Sequence, residues 1–187
     1  MRRSSSRFVL PLAAAFFGYL PANAATTAAS IGDASIVHDE AAGTWTLTAG
    51  ATSLKLALDP GRDFAIVGLT TPSGTAWNAS ASPDTVLRVG DQTLSFGSRS
   101  AGFALQNVTT ATNGDRLQLD ATFDLASAAL QLTRHYAIAA GSPAFEVWTT
   151  YKPRANAKSI ADLNALKLTI PAGAVRWING LGETSQW

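Results

Sequence analysis

The 187-residue chain contains no cysteine. That excludes a disulfide, a thiol nucleophile and a thiolate metal site, so the fold must rest on its core. Histidine is almost as scarce. Only His38 and His135 occur, whereas a zinc site draws three or four ligands, typically with clustered histidines. No metal site is expected. Charge is sparse too: Asp, Glu, Lys and Arg make up 14% of the residues and form no run of one sign. Nucleic acid and anionic membrane are therefore poor partners. Phosphate-cradling motifs of the G-x-G-x-x-G or P-loop kind are missing, as is any strand–helix unit to hold one, so no cofactor is expected. Helical periodicity is nearly absent.

What is present begins with an export signal. MRRSSSR carries Arg2, Arg3 and Arg7, the apolar run FVLPLAAAFFGYL follows, and Ala22-Asn23-Ala24 offers small residues where a signal peptidase reads. The run is shorter than the roughly 20 residues that span a bilayer. Residues 1–24 therefore read as a signal peptide, the product as periplasmic or secreted, with no membrane attachment after cleavage. Cleavage leaves 163 residues, with 11 basic side chains against 13 acidic, a sensible size for one domain.

Residues 25–34, ATTAASIGDA, are small and polar, and 25–42 as a whole read as a flexible leader. The domain proper is placed at 43–187. There the dominant signal is alternation with period two. Eleven strands are expected, at 44–48, 53–59, 64–69, 85–90, 93–96, 103–111, 116–125, 130–138, 144–151, 163–171 and 175–178. FAIVGL at 64–69 reads as a strand buried on both faces. Asn113-Gly114 between alternating runs is the strongest short hairpin cue. Residues 156–166 carry a weak helical pattern, with a loop leading into a strand preferred. The fold class is all-β, an antiparallel two-sheet β-sandwich.

The densest chemistry lies in LTRHYAIAAGSPAFEVWTTY at 132–151. With AAGSP (139–143) as the loop, Tyr136 faces Glu146 and Arg134 faces Trp148, while His135 falls on the other face beside Val147. Arg134, Glu146 and Trp148 then form either a cross-strand ladder or a sugar-binding face. In the second case the indole supplies a flat apolar surface and the charged groups grip hydroxyls. No catalytic residue is expected. Neither histidine has a nucleophile-elbow pattern beside it. Sequence spacing cannot select a carboxylate pair for glycoside hydrolysis. Epimerisation would need a base and an acid flanking one sugar, and this register separates Glu146 from His135.

RHYAIAAGSPAFEVWTTYK, with LKLALDPGRDFAIVGLTTPSGTAW at 54–77, resembles the N-terminal β-supersandwich of melibiase-type alpha-galactosidases, within the galactose-mutarotase-like group. The resemblance spans most of residues 43–178. It implies a supersandwich that does no chemistry itself, because the two catalytic aspartates of that family sit in a following (β/α)₈ barrel. The expected function is then a non-catalytic domain of an exported glycoside hydrolase, inactive alone, supporting or lining a galactoside site in a downstream barrel. WINGLGETSQW at 177–187 reads as a loop heading into more protein. Its Trp177, Asn179 and Trp187 have the chemistry to line a sugar pocket, with the core of a last strand the preferred place for Trp177. The alternative is a free-standing carbohydrate-binding or mutarotase-like protein.

Overall fold

The computed structural model describes residues 25–78, 80–161 and 166–168. Alternating side chains produce twelve strands: β1 (Thr26–Ile31), β2 (Ala34–Asp39), β3 (Thr44–Ala49), β4 (Thr52–Leu58), β5 (Phe64–Thr70), β6 (Val86–Val89), β7 (Gln92–Ser95), β8 (Phe103–Asn113), β9 (Arg116–Leu125), β10 (Leu130–Ala139), β11 (Phe145–Pro153) and β12 (Ile160–Ala161). A single 3-10 turn at Ala126–Ala128 is the one helical element among the described residues. All pairing is antiparallel. One sheet has the order β1-β2-β3-β4-β5, a second β11-β10-β9-β8, and a small third β12-β6-β7. The fold is all-β and sandwich-like, as the alternation predicts.

The two large sheets pack face to face through one continuous apolar cluster. Ile36, Leu47, Leu56 and Ile66 line the five-stranded side, and Leu119, Phe123 and Leu132 the four-stranded side, all essentially inaccessible to water. Phe123 is the hub. Its ring meets Phe64 of the opposite sheet edge-on at 5.6 Å, and also Phe96 and Phe103 at 5.1 and 6.2 Å, geometries that aromatic quadrupoles favour.

Two expectations change. Residues 25–42 are not a loose leader, because 26–31 and 34–39 pair as a hairpin that completes the five-stranded sheet. Ala34 and Ile36 drive this by burying one face of β2. β5 is buried on one face only: Phe64 and Ile66 are inside, Ala65 and Val67 half-exposed. Its inner face packs on the four-stranded sheet through Phe64 and Phe123, and its outer face carries Ala65 and Val67. Residues 156–161 form no helix, in keeping with the preferred reading of a loop leading into a strand, and β12 begins at Ile160. The signal at 1–24 and the strand at 175–178 lie outside the described residues. Of 163–171 only 166–168 are described, and they are not strand.

One end of the sandwich is tied by a single carboxylate. Asp33, in the β1–β2 turn, accepts from the Gly50 N–H (3.0 Å) with Oδ2 and from the Gly141 N–H (2.6 Å) with Oδ1. It thereby joins the β3–β4 and β10–β11 turns. Both N–H donors favour the ionised carboxyl and hold its pKa below the ordinary 3.8.

Candidate functional site

The β10–β11 register decides which side chains meet. Ile138 pairs with Phe145, Ala137 with Glu146, Tyr136 with Val147, His135 with Trp148 and Arg134 with Thr149. This is one residue away from the register expected for a 139–143 loop, and a slip of one exchanges the faces of a whole strand. The hydrophobic pattern is the reason. The expected pairing would set Glu146 beside the buried Tyr136 and turn Phe145 and Val147 outward. The observed pairing puts Phe145, Val147 and Tyr151 against the core and turns Glu146, Trp148 and Thr150 to solvent.

The candidate set therefore splits. Arg134 is not a surface ligand. It lies inside, with Nε donating to Asp84 Oδ2 at 2.7 Å and Nη1 to Thr149 Oγ1 at 2.9 Å. Tyr136 donates its hydroxyl to the same Asp84 oxygen at 2.7 Å. Burial foremost, and the Asp84 charge next, push the Tyr136 phenol well above its usual 10. Tyr151 is raised chiefly by burial. The Arg134–Asp84–Tyr136 cluster pins the loop before β6 onto the inner face of β10. Asp84 was invisible in the sequence as a partner, being 50 residues from Arg134.

Glu146 and Trp148 stay together, on the outer face of the four-stranded sheet. Trp148 is 39% exposed. Its indole stacks on the His135 imidazole, centroids 4.8 Å apart and planes within 17°. The opposite indole face is left uncovered by that ring. Glu146 forms an ion pair with Arg116 across the sheet. Between them β10 contributes Ala137, Ile138 and Ala139, and Arg116, Ser142, Ala144 and Glu146 rim a shallow pocket of about 30 Å³, room for about one water molecule.

His135, expected on the opposite face from Glu146 and Trp148, shares their face and is the best-connected group on it. Nδ1 lies 2.7 Å from Asp120 Oδ1, and Nε2 lies 2.9 Å from Thr150 Oγ1. Gln118 Nε2 donates to the same Asp120 oxygen at 2.7 Å. An ionised carboxylate only accepts, so Nδ1 carries hydrogen. In the neutral ring Nε2 must then accept, and the Thr150 hydroxyl donates to it. The one signal that could have found this row was the polar alternation of RLQLDATFDL (116–125), which sets Gln118 and Asp120 on one face.

Trp177, Asn179 and Trp187 lie outside the described residues. Of the other tryptophans, Trp45 is buried against Phe64 and stacked on His38, and Trp77 is exposed. Among the described residues no group of three or more His, Asp or Glu could hold a metal ion. Neither a family model, nor a curated protein, nor a solved structure matches the chain.

Proposed function

We propose that the chain is a carbohydrate-contacting β-sandwich of an exported glycoside hydrolase of alpha-galactosidase type, and that the outer face of β9, β10 and β11 is where it meets sugar. Trp148 is the observation that carries the reading. A half-exposed indole, fixed in orientation by stacking on His135, offers a rigid plane to the C–H face of a pyranose. Around it stand groups that accept from and donate to hydroxyls: Glu146, Arg116, Asp120, Gln118 and Thr150. An apolar plate with a few convergent polar groups is the usual make-up of a small-molecule site. Glu146 is matched by Arg116, which suits recognition of a neutral polyol better than proton transfer. The signal-like residues 1–24 supply the export element of this reading.

Titration of the full chain with galactose, methyl galactosides and galactomannan tests it, followed by tryptophan fluorescence and calorimetry. Saturable binding that Trp148→Ala abolishes is expected, with no galactoside hydrolysis by the chain alone. Absence of a saturable response to every sugar removes the reading. A mutarotase-like role is the second reading, favoured by one observation: Glu146 and His135 share a face, so the separation expected from sequence no longer stands against it. Faster interconversion of galactose anomers, lost in Glu146→Gln, would select it over simple binding.

A further inference from the structure

The hydrogen bonds on this face converge on Asp120. The Gln118 amide donates to Asp120 and, with the His135 ring neutral and its hydrogen on Nδ1, Asp120 accepts from Nδ1–H while Nε2 accepts from the Thr150 hydroxyl. A nucleophile joined to a base, and the base joined to an orienting carboxylate, is the geometry by which a hydroxyl is activated on unrelated folds. The hydrogen-bond chain ends at an exposed residue on an edge strand. Thr150 Oγ1 is therefore open to a substrate, whereas the purely structural Thr122–Thr133 pair beside it is spent on itself at 3.1 Å. A cation stands nearby. Lys152 follows Thr150 by two positions on the same exposed row, a rise of roughly 7 Å, and no hydrogen bond or ion pair engages its ammonium among the described residues.

We infer that Asp120, His135 and Thr150 form an acyl-transfer site that removes O-acyl groups from sugar esters. Thr150 Oγ1 attacks the ester carbonyl carbon as its proton passes to His135 Nε2. The carbonyl oxygen takes up negative charge, which Lys152 offsets. The bond to the sugar oxygen breaks, and that oxygen recovers the proton from Nε2, leaving acyl-Thr150. Water then attacks the same carbon and gives its proton to Nε2. Thr150 Oγ1 leaves with that proton, releasing a carboxylic acid and the sugar alcohol. No oxidant or further reactant is needed. Thr150 and His135 are the catalytic residues, and Asp120 and Gln118 position the imidazole. The sugar part of the substrate rests on the Trp148 reading, while the acyl chemistry rests on the hydrogen-bond chain alone.

The test follows hydrolysis of p-nitrophenyl acetate and of acetylated methyl galactoside by the full chain, with intact-mass analysis for an acetyl group on Thr150. Saturable turnover is expected. Thr150→Ala and His135→Gln should each lose about a hundredfold or more, and Thr150→Ser should restore it. Asp120→Asn should lower kcat with KM held, which a merely structural role would not do. Circular dichroism checks that each variant is folded. No turnover by the parent chain, or undiminished turnover by a folded Thr150→Ala, overturns the inference. A chain that binds galactosides without deacylating anything loses this inference and keeps the binding face. One that cleaves p-nitrophenyl acetate but binds no sugar keeps the acyl chemistry and loses the face.

Discussion

Arg134 and Asp84 are 2% and 4% exposed as side chains. Ions so far from water are tolerated only with charge and hydrogen bonds both satisfied, and here Tyr136 and Thr149 complete the set. Breaking such a pair from one side leaves an uncompensated charge. Asp84→Ala should therefore cost about 3–5 kcal/mol, read as a shift in the urea midpoint at constant slope. Replacing both partners by apolar residues of similar volume should recover most of that loss. If the single change costs no more than an ordinary surface substitution, the pair does not pin the β6 loop. Asp33 differs because it is fully exposed. Its folded pKa lies below its unfolded value. The stabilisation it gives is thus complete above the unfolded pKa near 3.8 and fades as pH falls through the lower, folded one. Melting curves of the parent and Asp33→Asn should differ at neutral pH and converge in acid below that point. A gap independent of pH would mean that the carboxylate charge is not what ties the three turns.

At the scale of strands, the interior of the fold was legible because its alternation is strong. RLQLDATFDL and LQLTRHYAI became β9 and β10 within one residue of their expected ends. Two elements were missed, the first for want of signal and the second despite it. β1 carries Thr, Ala and Ser, is mostly exposed, and gains only partial burial at Ala29 and Ile31, so it holds little periodic signal without its partner. β2 did contain the cue, in Ala34 and Ile36 two positions apart after a Gly32-Asp33 turn. The β10–β11 register was misjudged because loop length was weighed before the apolar pattern of Phe145, Val147 and Tyr151. That choice grouped Arg134 with Trp148 and hid the row that joins Trp148 to His135. Asp120 and Thr150 could not be paired with His135 from sequence, since each lies 15 residues away and only the register brings them across. The hairpin itself is testable. Ile36 has no accessible surface, so Ile36→Ala should cost about 2–5 kcal/mol by chemical denaturation. A flexible leader would lose nothing.

At the scale of the molecule, the question is whether two large sheets and one small one unfold together. The core argues that they do. Phe123 of β9 touches Phe64 across the sandwich and Phe96 at the end of β7, so one ring belongs to the packing of all three sheets. Asp33 adds a polar tie between the large sheets at the turn end, and Asp84 a second between the β6 loop and β10. Interfaces this continuous leave no boundary along which one sheet could open while keeping its own core, and small domains of that kind unfold in one step. Far-UV dichroism, which reports the strands, and tryptophan fluorescence, to which Trp45 in the core and the exposed Trp77 and Trp148 contribute among the chain's five tryptophans, should therefore give superimposable urea curves. Phe123→Ala removes the shared ring and should lower stability by about 3–5 kcal/mol, moving both curves by the same amount. Were the fluorescence curve to separate from the dichroism curve in the variant, the sheets would hold independent cores. The outer face of β9–β11 would then stand on a substructure able to persist without the rest.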